Sequence, residues 1–123
     1  MQSPYKGETG LRRILNAARN SVEGLAAAAR HEDAFRQELI IAAVLVPTAF
    51  FLNVDPLERA ILIGSILLVL IVELLNTAIE VVVDRISTDE HPLSKRAKDI
   101  GSAAVMLSLL NAAGAWLFVL LGR

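Results

Sequence analysis

The sequence predicts an all-α integral membrane protein, with an N-terminal amphipathic surface helix ahead of three transmembrane helices. Three observations lead there. Hydrophobic residues fill 54% of the 123 positions, too many for a soluble domain of this size. Three apolar stretches follow one another from residue 39 onward, and an amphipathic repeat precedes them. The chain reads as a single domain, residues 1–123. A protomer this small encloses little core, so several copies are expected to pack together. The formal net charge of −1 and the lack of an acidic or basic tail argue against nucleic acid as a partner. Disulfides and thiolate metal sites are excluded because the chain has no cysteine. The opening "MQSPYKGETGLRRIL" has no uninterrupted apolar core of the kind a signal peptide needs, so it is read as part of the mature protein.

Residues 10–30 form the surface helix. Leu11, Ile14, Leu15, Ala18, Val22, Leu25 and Ala26 recur at helical spacing, while Arg12, Arg13, Asn16, Arg19, Asn20 and Glu23 take the other face. Its basic residues suit anionic headgroups. The alternative is a helix of a soluble bundle, which the apolar spans downstream oppose. Residues 32–54 make the first span. Its apolar part is short and carries Pro47, so a re-entrant helix is the alternative to a full crossing. Residues 58–84 form the second span, on condition that Glu73 and Glu80 are accepted inside it. The third, residues 95–121, has an uncharged run from Ile100 to Leu121, long enough for a hydrocarbon core of about 30 Å.

Basic residues set the orientation. Lys6, Arg12, Arg13, Arg19, Arg30 and Arg36 precede the first span, and Arg85, Lys95, Arg96 and Lys98 lie near the link between the second and third. Only Arg59 and Arg123 fall on the other side. The positive-inside rule then places the N-terminus in the cytoplasm. "NVDPLERA" becomes a short outer turn, with Asp55, Pro56 and Glu58 suiting a helix start.

The stretch "IVELLNTAIEVVVDR" carries the chemistry. At about 100° per residue, Glu73, Asn76, Glu80 and Asp84 fall within one narrow arc of the second span. A carboxylate at membrane depth costs at least about 2.5 kcal/mol, so such groups face a bundle interior or a water-filled site. Glu80 lies near the inner interface and Glu73 is about 10 Å deeper along the helix axis. The shallow carboxylate can meet a hydrophilic ligand or cation, and the deep one can act as a base on a lipid-level group. Glu32, Arg36 and Glu38 stand at the inner end of the first span. Lys95, Lys98, Asp99 and Ser102 share a face at the inner end of the third. Carboxylates with lysine and arginine suit a magnesium-bound phosphate compound, although a salt-bridge network that only anchors helices would use the same residue types. No Walker-type, dinucleotide-binding or protein-kinase signature is present.

Together, "EDAFRQE", "VELLNTAIEVVVDR" and "RAKDIGSAAV" resemble the prokaryotic diacylglycerol kinase family of small integral-membrane lipid kinases, from about Arg13 through the third span. The resemblance implies a homotrimeric bundle in the bacterial inner membrane. It also implies transfer of the γ-phosphoryl of ATP, with Mg2+, to the primary hydroxyl of diacylglycerol, giving phosphatidic acid. It further implies Glu73 as general base, Glu32 and Glu80 as metal ligands on the nucleotide phosphates, and Asn76 as support for the transfer site. Lys98 would neutralise phosphate charge, Asp84, His91 and Asp99 would line the nucleotide region, and Arg13 would reach phosphate. Ser102 falls with Glu73 on the lipid-substrate side. His91 could equally be a plain loop residue. Ser87 and Lys95 depart from the glycines that relatives carry near the nucleotide, and Asn16, Asn20 and Glu23 stand where relatives often carry basic or aromatic residues. An undecaprenol kinase of the same family is the nearest alternative. A proton-coupled membrane transporter is the more remote one; it explains Glu73 but not the cytoplasmic cluster.

Gly64, Gly101, Ala103, Ala104, Ala112, Ala113 and Gly114 are expected to let helices approach closely, and Ser65, Ser108 and Asn111 to bond across helices. Trp116 is expected to anchor or pack.

Overall fold

The computed structural model describes residues 9–122, and within them the regular structure consists of four helices: α1 Gly10–His31, α2 Asp33–Phe51, α3 Pro56–Ile86 and α4 Pro92–Leu121. Lys6 and Arg123, used above for orientation, lie outside the described residues. α2, α3 and α4 are each long and apolar enough to cross a membrane. The re-entrant alternative for α2 is not needed: its helix continues through Pro47 for 19 residues, about 28 Å of rise. α3 is the central element, packing most broadly on α4 and then on α2, whereas α1 touches α2 over a small area.

Helix ends explain where the boundaries fall. α1 and α2 are separated by one extended residue, Glu32, whose N–H still donates to Ala28 O at 2.9 Å. Arg36 closes this corner from α2. Its Nη1 donates to Ala29 O at 2.8 Å and Arg30 O at 3.0 Å, and its Nη2 pairs with Asp33. A cation on the last carbonyls of α1 satisfies orphan acceptors and complements the helix dipole.

A second arginine does the same at the opposite end of the bundle. Arg59 Nη1 donates to Ala49 O, Phe50 O and Leu52 O at 2.7, 2.8 and 3.3 Å, and Nη2 donates to Val54 O at 3.0 Å. α2 therefore stops at Phe51, before the expected residue 54, because its last carbonyls turn into this clasp. α3 starts at Pro56, two residues before expectation. Asp55 caps it in a reciprocal box, accepting from Glu58 N at 2.8 Å while Glu58 Oε1 accepts from Asp55 N at 3.2 Å. α4 likewise starts early, at Pro92, because His91 Nδ1 accepts from Leu93 N at 3.1 Å.

Two apolar clusters order the bundle along α3. Near the turn between α2 and α3, Ala49, Val54 and Leu62 pack together; further along, Ala42 meets Ile66, Val69 and Ala112. Trp116 packs against both. Three of these seven buried positions are alanine, which brings backbones close where lipid gives no hydrophobic drive between helices. Other small residues serve differently than expected. A Cβ added at Gly64 or Gly114 would meet no other part of the chain within 4 Å, and Ala103, Ala104 and Asn111 are exposed. Ser65 Oγ and Ser108 Oγ donate to carbonyls of their own helices, Leu62 O and Val105 O, rather than across the bundle. A serine hydroxyl on a helix readily bonds back to a carbonyl of its own preceding turn. Large side chains such as Ile40, Val44, Leu110 and Phe118 point outward.

Candidate functional site

Beyond the second cluster, the buried face of α3 turns polar. Leu62, Ser65, Ile66, Val69, Glu73 and Asn76 form one continuous buried stripe. Glu73 is only 6% exposed and Asn76 7%, Glu80 is half-buried, and Asp84 lies in the open. Burial therefore falls in steps along a single helix face, which the spacing in the sequence dictates once α2 and α4 cover the other end. Asn76 Nδ2 donates to Glu80 Oε1 at 3.2 Å, linking two of the steps. One turn further, Lys98 Nζ donates to Asp84 Oδ1 at 2.7 Å, linking α3 to α4.

Carboxylates from other elements join the deep end. Glu80 and Glu32 both act electrostatically on Glu73, and Glu73 acts on Glu38. Glu38 is the residue that sequence reasoning left without a role. Its Oε2 is buried with no hydrogen-bond partner, as is Asn76 Oδ1. A polar residue in the first turns of a span reads as interfacial, so the signal for Glu38 lay only in its register toward α3.

Two concave surfaces flank these carboxylates. The first is a cleft of about 770 Å³ at the α3–α4 link, lined by Asp84, Ser87, His91, Lys95, Lys98 and Asp99 among others. Of the residues on these two helices and their link that the resemblance assigns to the nucleotide, Asp84, His91, Lys98 and Asp99 border it, whereas Glu80 does not line it. Lys95 Nζ donates to Asp99 Oδ2 at 2.6 Å on its rim. The second is an apolar groove of about 330 Å³ with Glu38 at one end and Leu45, Val69, Leu70, Ala113 and Trp116 along its walls. Trp116 Nε1 is buried there without a partner.

Not every expected residue is brought in. Arg13 is exposed in the first turn of α1, about 28 Å along the helix from Glu32. Ser102 is exposed on α4. Glu32 lies in the groove between α1 and α3 together with His31 and Thr77.

Among the described residues, no three His, Asp or Glu side chains converge as a metal cage. Mg2+ does not ask for one: it is held by one or two carboxylates, with waters and substrate phosphates completing its oxygen shell. Glu32, in the groove between α1 and α3, and Glu80, on the polar face of α3, supply carboxylate oxygens of the kind magnesium takes on a phosphate compound.

Comparison with known proteins identifies the family. Residues 19–120 match the family described as prokaryotic diacylglycerol kinase. A diacylglycerol kinase of Pseudomonas aeruginosa is 55% identical over 120 residues, covering 98% of each chain. That of Escherichia coli K12 is 50% identical over 112 residues, covering 91% of this chain and 92% of the relative. A more distant one, from Helicobacter pylori J99, is 39% identical over 107 residues, covering 87% and 84%. With the family match over residues 19–120, a relative 55% identical over nearly the whole chain, and three membrane-length helices, this chain belongs to the prokaryotic diacylglycerol kinase family.

Proposed function

We propose that this protein phosphorylates diacylglycerol, transferring the γ-phosphoryl of MgATP to the primary hydroxyl to give phosphatidic acid. The observation that carries the reading is the graded face of α3. It runs from buried Glu73 to exposed Asp84 and joins an apolar groove to a lysine-rimmed cleft. A lipid alcohol and a nucleotide differ so much in polarity that a shared site needs such a gradient.

In this mechanism the nucleotide occupies the cleft, where Lys98 leaves Asp84 to offset phosphate charge and Lys95, His91 and Asp99 line the opening. Glu32 and Glu80 would hold the magnesium ion, which when bound would offset charge on the phosphate oxygens. Glu73 accepts the proton of the lipid hydroxyl as its oxygen attacks the γ-phosphorus, the bond from that phosphorus to the β,γ-bridging oxygen breaks and ADP leaves, and Asn76 keeps Glu80 in place. Glu38 and Trp116 border the groove that takes the lipid. Positioning and electrostatics carry most of the acceleration in phosphoryl transfer, so one base and a well-placed set of charges suffice.

The protein acts as a homotrimer in the bacterial inner membrane, with its N-terminus in the cytoplasm. Arg12, Arg13, Arg19, Arg30, Arg85 and Arg96 support that orientation. Open glycines on α3 and α4, and Asn111 exposed within an apolar span, support helix contacts between copies. Arg13, far from Glu32 in its own chain, reaches phosphate only at a neighbour's site. α1 lies along the cytoplasmic face of the membrane through its apolar side.

The test is magnesium-dependent transfer of labelled γ-phosphate in mixed micelles, with diacylglycerol and undecaprenol supplied separately. Labelled phosphatidic acid with little polyprenyl phosphate is the expected result. Preference for the polyprenol would reassign the acceptor, and no transfer by folded, oligomeric protein would return attention to proton flux through Glu73.

A further inference from the structure

Among the described glycines, Gly101 alone has a side chain within 4 Å of the place a Cβ would occupy, and that side chain is Asn76. A Cβ on Gly101 would fall on Asn76 Oδ1, 3.1 Å from Cγ and 3.9 Å from Cβ. The amide orientation is settled by chemistry. Nδ2 donates to Glu80 Oε1 at 3.2 Å, and the flipped amide would set carbonyl oxygen against carboxylate oxygen. Oδ1 must therefore point away from Glu80, into the face of α4. It is buried there with no hydrogen-bond partner, in a residue only 7% exposed. Burying an acceptor unpaired is unfavourable, so the slot that admits it is a feature to be explained rather than a void.

The surroundings supply the explanation. Asn76 is one turn from Glu80 on α3, and Gly101 is one turn from Lys98 on α4. The next cross-helix contact outward is the Lys98–Asp84 ion pair. The Asn76 amide thus sits at the single point where α4 can fix both the rotamer of a residue bonded to Glu80 and the register that presents Lys98.

We propose that Gly101 is a positioning residue for phosphoryl transfer: its missing Cβ is the slot that holds the Asn76 amide between α4 and Glu80, and so orients the Glu80 carboxylate toward the metal-bound nucleotide. The inference rests on the kinase reading for what Glu80 does, and on geometry alone for what Gly101 does to Asn76. Serine or alanine at this position would push the amide off α4 and turn it, and Glu80 with it.

The experiment is a cycle of Gly101→Ala, Asn76→Ala and the double variant in the full chain in mixed micelles. Equilibrium binding of MgATP, the half-saturating Mg2+ concentration, kcat and the thermal midpoint are followed for each. Gly101→Ala alone is expected to weaken MgATP binding and raise the Mg2+ requirement by tenfold or more. With Asn76→Ala already present the same change should move both by less than twofold, because the remaining Cβ at position 76 lies 3.9 Å away, an ordinary contact. If Gly101→Ala alone fails to fold, folding restored in the double variant supports the slot. Equal cost in both backgrounds, a single variant within twofold of the parent, or a double variant that also fails to fold overturns it. Wild-type protein that phosphorylates no lipid alcohol overturns the kinase reading separately, and the thermal midpoints of the cycle still decide whether Gly101 holds Asn76.

Discussion

Replacing Arg59 with alanine removes four donor contacts at once, three of them to half-buried carbonyls, Ala49 O, Leu52 O and Val54 O, and one to the exposed Phe50 O. Phe50 O can turn to interfacial water, so it contributes little to the cost. The other three sit where α2 ends and water enters poorly. Polar contacts within membrane proteins average about 0.6 kcal/mol and reach about 1.7 kcal/mol at most. Three of them give about 2 to 5 kcal/mol, and the lower half is the better guide because Leu52 O accepts at a long 3.3 Å. The loss should appear as a lower thermal midpoint and faster inactivation in detergent. Arg59 lies about 21 Å along α3 from Glu73, so turnover per folded molecule should stay close to the parent's. Arg59→Lys should recover only part of the stability, because a single ammonium cannot span four carbonyls as a planar fork does. An unchanged midpoint in Arg59→Ala would show that the clasp is ornamental and that the capping box at Asp55 alone sets the turn.

Three further outcomes concern the chemistry. Glu73→Gln should lower transfer by at least about 10²-fold while MgATP binding and assembly persist; a variant with near-normal turnover would remove Glu73 as the base. Glu80→Gln should raise the Mg2+ needed for half-maximal transfer by about tenfold or more, read from metal titrations at fixed ATP. Lys98→Ala should cost about 10²-fold in transfer with an unmoved thermal midpoint, since its partner Asp84 is 54% exposed and solvates readily when left alone. Loss of stability without loss of rate in that variant would make Lys98 a helix tether.

What the sequence discloses depends on how far each feature reaches along the chain. Glu73, Asn76, Glu80 and Asp84 were legible as one face because their spacing lies within a single helix, where periodicity fixes direction. The three spans were legible from apolar length. Their ends were misjudged by two or three residues at Phe51, Pro56 and Pro92, because the capping groups Asp55 and His91 and the clasp of Arg59 act at positions that hydropathy does not weigh. Contacts between helices were the least legible. Gly101 reads as one small residue among several, and only the register of α4 on α3 singles it out. The same register makes Ser65 and Ser108 bond to their own turns, contrary to expectation, and brings Glu38 beside Glu73.

One joint in the chain has a mechanical side. α1 and α2 meet through a single non-helical residue, Glu32, which is also the proposed metal ligand, and Arg36 grips the carbonyls on the α1 side of it. α1 is 22 residues long, a lever of about 33 Å, so a tilt of 10° carries its free end through about 6 Å. With no slack segment to absorb that swing, the rotation is delivered to the backbone torsions of Glu32. The fulcrum of that lever is the carboxylate proposed above to hold magnesium. A change in the angle between α1 and α2 would therefore turn a residue proposed to carry magnesium, with no intervening segment to take up the motion.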